Sequence, residues 1–161
     1  MTSEQSISTA RAAETSAAAQ RVVESFLDAL AESELDLAMS MLAEAVVYSN
    51  VGLPTIRGRR AVRSALQGLA RPAVGFEVCM HSISVDGSVV LTERTDVIAL
   101  GGFRAQFWVW GRFDVEDGMI TLWRDSFDFV DVTRGMLRGL LGVVVPGLRP
   151  TMPAPQDPPG R

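Results

Sequence analysis

The chain has 161 residues, 47% hydrophobic and 21% charged, with a formal net charge of −4. That is enough for one globular domain with its own core, and an acidic chain without a basic stripe is not built for nucleic acid. One cysteine, Cys79, leaves no intrachain disulfide and fits a reducing cytoplasm; with the single His81 it offers no ligand set for zinc.

Residues 1–17 are rich in Ser, Ala, Glu and Thr without an apolar run, which predicts a disordered tail and no secretory signal. Val22, Phe26, Leu27 and Leu30 at helical spacing predict a helix over 18–32. Ser33-Glu34-Leu35-Asp36 reads as a capping box opening a second helix to about Leu42. Val46 to Asn50 reads as a strand. A third helix is expected over 59–70, with Arg57-Gly58-Arg59-Arg60 as its solvated entry. The period then drops to two, giving strands at 75–85, 88–100, 103–115 and 119–129. Asp86-Gly87, Gly101-Gly102 and Glu116-Asp117-Gly118 supply the turns. A last helix is expected from about Thr133 to Leu141. The apolar run Met136 to Leu148 is broken by Arg138, glycines and Pro146, so it is too short to span a bilayer. Residues 150–161, with Pro150, Pro153, Pro155, Pro158 and Pro159, read as a second disordered tail. One domain over 18–149 remains, of the α+β class: a curled antiparallel sheet with helices over its concave face, forming a cone with a pocket.

Register locates the chemistry. A two-residue turn at Gly101-Gly102 pairs Arg94 with Val109 and Asp96 with Phe107. A three-residue turn ending in Gly118 pairs Val109 with Asp125 and Phe107 with Phe127. Arg94, Asp96 and Asp125 then share one face, with Arg94 reaching across Val109. A simple Asp86-Gly87 turn sets Glu77 opposite Asp96, a contact that a bulge would remove. Charges on an inward strand face are costly to bury unless paired, and a core does not need them. Two carboxyls joined by one arginine suit acid–base work: one stays ionised as base, the other keeps a proton as acid. There is no G-x-S-x-G elbow and no dinucleotide loop, so water is the available nucleophile. Tyr48 and Asn50 share a strand face and can orient it. Trp108 and Trp110 lie on the opposite face, with Glu93 and Arg124 flanking Trp110, which suits burial in a homodimer. His81 reads as a satisfied structural histidine and Cys79 as a small buried apolar residue.

At Tyr48-Ser49-Asn50, Arg57-Gly58-Arg59, Glu93-Arg94-Thr95-Asp96 and Trp123-Arg124-Asp125-Ser126-Phe127-Asp128, the chain resembles the limonene-1,2-epoxide hydrolase family over about residues 20–145. It looks closest to the actinobacterial, mycobacterial-type members. The resemblance implies a nuclear-transport-factor-2-like cone, usually dimeric, and no cofactor or metal. It implies that Asp125 activates water held by Tyr48 and Asn50, that Asp96 protonates the epoxide oxygen, and that Arg94 bridges the two aspartates. It also implies an apolar epoxide as substrate and a vicinal diol as product, with Leu27, Leu30, Leu69, Ile98, Phe107, Val109 and Phe127 as both core and substrate wall. Two departures stand out: Ser126, where the family often has Tyr, and the apolar extension Val143-Val144-Val145-Pro146. The rivals are an isomerase or cyclase of the ketosteroid-isomerase type on the same cone, and a non-catalytic carrier of apolar ligands.

Overall fold

The structure, a computed structural model, describes residues 3–153. Helix α1 (Ser3–Ala31) and α2 (Leu35–Ser40) are followed by strand β1 (Leu42–Asn50), the short β2 (Ile56–Arg57) and α3 (Arg59–Leu66). The meander β3 (Val74–Asp86), β4 (Val89–Leu100), β5 (Phe103–Glu116) and β6 (Met119–Ser126) leads into α4 (Phe129–Val144). The six strands form one sheet in the order β2-β1-β6-β5-β4-β3, with β1 parallel to β6 and every other pair antiparallel. The α+β class is as expected.

The main core lies between α1 and the sheet's inner face. Ala19, Val23, Phe26, Leu27 and Leu30 recur at helical spacing and are buried against Val46, Val90, Phe113, Ile120 and Trp123. Phe26 meets Trp123 edge-on at 5.0 Å between ring centroids. No helix among the described residues is long and apolar enough to cross a membrane.

Several expectations are corrected. Residues 3–17 are helical, not a tail: the segment is rich in Ala, the best helix former, and continues the anchored half of α1. Ser16 Oγ also accepts a hydrogen bond from Gly87 N at the β3–β4 turn (3.2 Å). Ser33 caps no second helix. It lies at φ 61° and ends α1, with Ser33 N bonded to Leu30 O and Glu34 N to Ala29 O. Arg59 is not simply solvated, because it pairs with Glu44 and donates to Leu42 O, tying α3 to β1. Residues 150–153 also pack: Pro150 O accepts from Arg104 Nε (3.2 Å) and Pro153 O from Cys79 Sγ (3.3 Å). Residues 154–161 of the expected tail lie outside the described residues.

The last helix begins earlier than expected because Asp128 caps it, its carboxylate accepting from Val130 N at 2.7 Å. It follows β6 directly, since that strand ends at Ser126 rather than at residue 129. Before Trp110, β5 therefore has no β6 partner, and α4 covers that edge. Asp131 Oδ2 accepts from Trp108 N (3.0 Å), and a side chain at Gly135 or Gly139 would collide with the carbonyl of Gln106 or Arg104. Glycine there lets the helix lie against bare strand.

Candidate active site

Strand alternation brings Arg94 and Asp96 from β4 and Asp125 from β6 to the inner face, which α1 also covers. All three are buried, at 1%, 4% and 5% exposure. Arg94 Nε donates to Asp96 Oδ1 (2.9 Å) and Oδ2 (3.2 Å), and Nη2 donates to Asp125 Oδ2 (2.7 Å). One guanidinium therefore links both carboxylates. Its remaining nitrogen, Nη1, donates to Thr92 Oγ1 (3.1 Å), and Arg94 Cζ lies 6.0 Å from the centroid of the Phe113 ring.

The Gly101-Gly102 register is as predicted, with Arg94 opposite Val109 and Asp96 opposite Phe107. The β5–β6 register is not. Asp117 and Gly118, both at positive φ, form a two-residue turn that pairs Glu116 with Met119, and a bulge follows between Asp114 and Val115. Each adds one residue of offset, so Asp125 faces Gly111 rather than Val109. A shift of two keeps side-chain parity, so the inner face keeps its residues although the row moved. Arg94 reaches Asp125 across Gly111. On the other flank the turn is Gly87-Ser88 rather than Asp86-Gly87, so Asp86 pairs with Val89, and a bulge at His81 then shifts the register by one: Glu77 pairs with Val97 instead of Asp96 and binds Arg104 on the outer face.

Tyr48 and Asn50 arrive on β1, whose parallel pairing sets Asn50 beside Asp125 and Tyr48 beside Trp123. Asn50 Nδ2 donates to the Tyr48 hydroxyl (2.8 Å), and the Tyr48 ring packs on Trp123 at 4.1 Å between centroids. All five polar residues singled out in the sequence are thus gathered at one place. Of the expected wall residues, Leu27 and Leu30 are buried in the core cluster, with Leu69 and Ile98 packed against it. Val109 is buried beside Arg94. Phe107 and Phe127 are half-buried and meet edge-to-face at 6.3 Å, although Phe127 lies beyond the end of β6. Thr92 and Gly111 were missed, and Trp123, although part of a quoted motif, was given no place in the site. A glycine inside a strand was the available signal for a close approach.

The electrostatics separate the groups. Burial raises the Asp96 pKa from 3.8 to about 6; Arg94 opposes this and the Asp125 charge adds to it. Tyr48 is pushed up to about 12, first by burial and then by Asp125, so its hydroxyl keeps its proton. Burial works against the charge of Arg94, but Asp125 and Asp96 outweigh it and leave the guanidinium pKa above its ordinary value. Asp125 Oδ1 is buried without a hydrogen-bond partner. A buried carboxylate oxygen in that state is a seat for a polar guest. Among the described residues, no group of three or more His, Cys, Asp or Glu is placed to hold a metal ion.

The model of the limonene-1,2-epoxide hydrolase catalytic domain matches residues 17–138. Epoxide hydrolase EphG of Mycobacterium tuberculosis is 49% identical over 130 residues, covering 81% of this chain and 87% of that protein. The solved structure of an M. tuberculosis epoxide hydrolase of the same type superposes with a TM-score of 0.80 at 48% identity, covering 85% of this chain and 97% of that one. A polyketide cyclase fold from Xanthomonas campestris, at 22% identity and a TM-score of 0.63, covers 75% of this chain and 98% of that one. A ketosteroid isomerase fold from Kribbella flavida, at 18% and 0.59, covers 70% and 79%. These last two show shared architecture alone.

Proposed function

The chain belongs to the limonene-1,2-epoxide hydrolase family and is an epoxide hydrolase; we propose that it adds one activated water to a hydrophobic epoxide in a single step, giving a vicinal diol. The observation that carries this reading is the free, buried Oδ1 of Asp125 beside the Tyr48–Asn50 pair.

The water's four directions can be accounted for. The Tyr48 hydroxyl accepts from Asn50, which leaves its own hydrogen for the water oxygen. The Asn50 carbonyl oxygen and Asp125 Oδ1 accept the water's two hydrogens. One lone pair remains for an epoxide carbon. As the new C–O bond forms, Asp125 takes the water proton and the carbon–oxygen bond of the ring breaks. Asp96 delivers its proton to the departing oxygen. The diol leaves with Asp125 protonated and Asp96 ionised, and proton exchange with solvent resets the pair. Arg94 cannot lose its proton, so it holds geometry and balances charge. The aromatic and aliphatic wall of Phe107, Val109, Phe127, Leu27, Leu30, Leu69 and Ile98 favours an apolar substrate.

Single turnover in ¹⁸O-water is the direct test. The first diol formed should carry the heavy oxygen. Unlabelled diol in the first turnover, followed by labelled enzyme, would mean that a carboxylate attacked carbon through an ester and would overturn the direct-water step. An isomerase would incorporate no solvent oxygen.

Homodimerisation through the outer sheet face belongs to the same proposal. Trp110 is 56% exposed there and packs against Trp108 at 6.0 Å between centroids. Its flanking residues are Glu93 and Ser126, whereas Arg124 pairs with Arg112. Trp108, Trp110, Ser126, Phe127, Asp128 and Asp131 line an open concavity of about 640 Å³, to which neither Asp96 nor Asp125 contributes. An exposed tryptophan beside such a hollow is material for an interface. Trp110→Ala is expected to weaken self-association by at least about tenfold, the effect of losing a tryptophan anchor. Sedimentation over a concentration series measures it, and unchanged affinity would remove this face from the interface.

A further inference from the structure

We propose that Thr92, seated against the bare backbone of Gly111, is a positioning residue that holds the Arg94 guanidinium split between the two aspartates. The inference rests on the reading of Asp96 as acid and Asp125 as base.

An arginine offers a carboxylate a paired edge, Nε with Nη2, and one carboxylate readily takes both donors as a bidentate fork. Here that edge is divided: Nε serves Asp96 and Nη2 serves Asp125. The divided arrangement is vulnerable. If the guanidinium swung fully onto Asp96, that carboxyl would be held ionised and could not donate a proton. If it swung onto Asp125, Oδ1 would be filled and could not receive water. Either collapse disables one half of the reaction while leaving the ion pair intact.

The opposite corner, Nη1, is what resists the swing. It donates to Thr92 Oγ1, and Thr92 is 2% exposed. Space for this contact comes from β5. Thr92, Gly111 and Asp125 form one row across β4, β5 and β6. A Cβ built on Gly111 would overlap both Arg94 Nη1 and Thr92 Oγ1. Gly111 is not among the positive-φ glycines, so it serves room rather than backbone conformation. Together the hydroxyl and the missing side chain form a slot for one corner of the guanidinium. No other hydrogen bond reaches Nη1 among the described residues.

Thr92→Val keeps the shape and removes the acceptor; Thr92→Ser keeps the acceptor. The Val variant should lose about 10²-fold in kcat, the scale on which small misplacements act, with KM within about twofold because the apolar wall is untouched. Its kcat/KM–pH profile should also be displaced from the wild type. Thr92→Ser should return kcat to within about threefold and restore the profile, since the acceptor is back. A purely structural threonine would lower the thermal midpoint and leave kcat per folded molecule and the pH profile unchanged; that outcome overturns the proposal. So does a Val variant that fails to fold while Ser folds, for Thr92 would then serve the fold. Asp125→Asn is assayed in parallel. If it is active, the acid–base reading itself has failed. If it is inactive and Thr92→Val is normal, only the positioning role falls.

Discussion

Asp125→Asn should reduce turnover by at least about 10³-fold, toward the upper end of what one acid–base group contributes, and should leave the fold intact. The size follows from charge, not only from the lost base. Arg94 lies between two carboxylates, and the Asp125 charge is one of the influences that raise the Asp96 pKa. With Asn at 125 that influence is gone and Arg94 faces a single carboxyl. Asp96 then ionises more readily, so the variant loses its proton donor at neutral pH as well as its base. The fold survives because the cluster becomes one cation with one anion, and Asn matches the volume of Asp. Breaking a buried pair normally costs about 3–5 kcal/mol when a charge is left alone, but here Arg94 keeps Asp96. The double variant with Asp96→Asn should therefore be little slower than Asp125→Asn, as expected for residues acting as one unit. Kinetics and thermal midpoints of both single variants and the double decide this. Near-normal turnover of pure Asp125→Asn would remove it from the reaction.

The site was legible in the sequence because side-chain parity survives errors that row-by-row register does not. The Gly101-Gly102 turn fixed Arg94 and Asp96 against β5 correctly. Past Glu116, a tighter turn and an unforeseen bulge moved Asp125 two residues along, and the two errors together left it on the right face. The same mismatch hid the part played by Gly111: the predicted register already set it opposite Thr92, but it put Trp123 rather than Asp125 on its other side. At β3, a single bulge at His81 turned Glu77 to the opposite face, the consequence of an odd shift. The ends of the chain were misread for another reason. Residues 3–17 have too few large apolar side chains to announce a packed helix, yet their alanines favour one. The capping-box pattern at Ser33 failed because the same residue was needed in a left-handed conformation to end α1.

Asp96→Asn should slow an unactivated epoxide by about 10²–10³-fold, the cost of removing a proton donor whose base remains in place. Here the charges stay balanced, with Arg94 facing Asp125, so water activation persists and the loss should be smaller than in Asp125→Asn. An epoxide whose departing alkoxide is stabilised by an electron-withdrawing substituent needs less protonation, so it should lose less; equal loss on both substrates would make Asp96 structural. The pH dependence gives an independent check. The acid must be protonated, and burial raises its pKa to about 6 in the free enzyme. Wild-type kcat/KM should therefore fall as pH rises through about 6, and that limb should vanish in Asp96→Asn. A bound apolar substrate dries the site further, so the limb in kcat should lie at higher pH than the limb in kcat/KM. Stability follows with a defined sign. A carboxyl whose folded pKa lies above its unfolded 3.8 contributes stability that is full below 3.8 and is lost as pH rises through about 6. The wild type's thermal midpoint, relative to Asp96→Asn, should thus be higher at pH 4 than at pH 7. A kcat/KM limb that persists unchanged in the Asn variant would assign the titration, and with it the acid, to another residue.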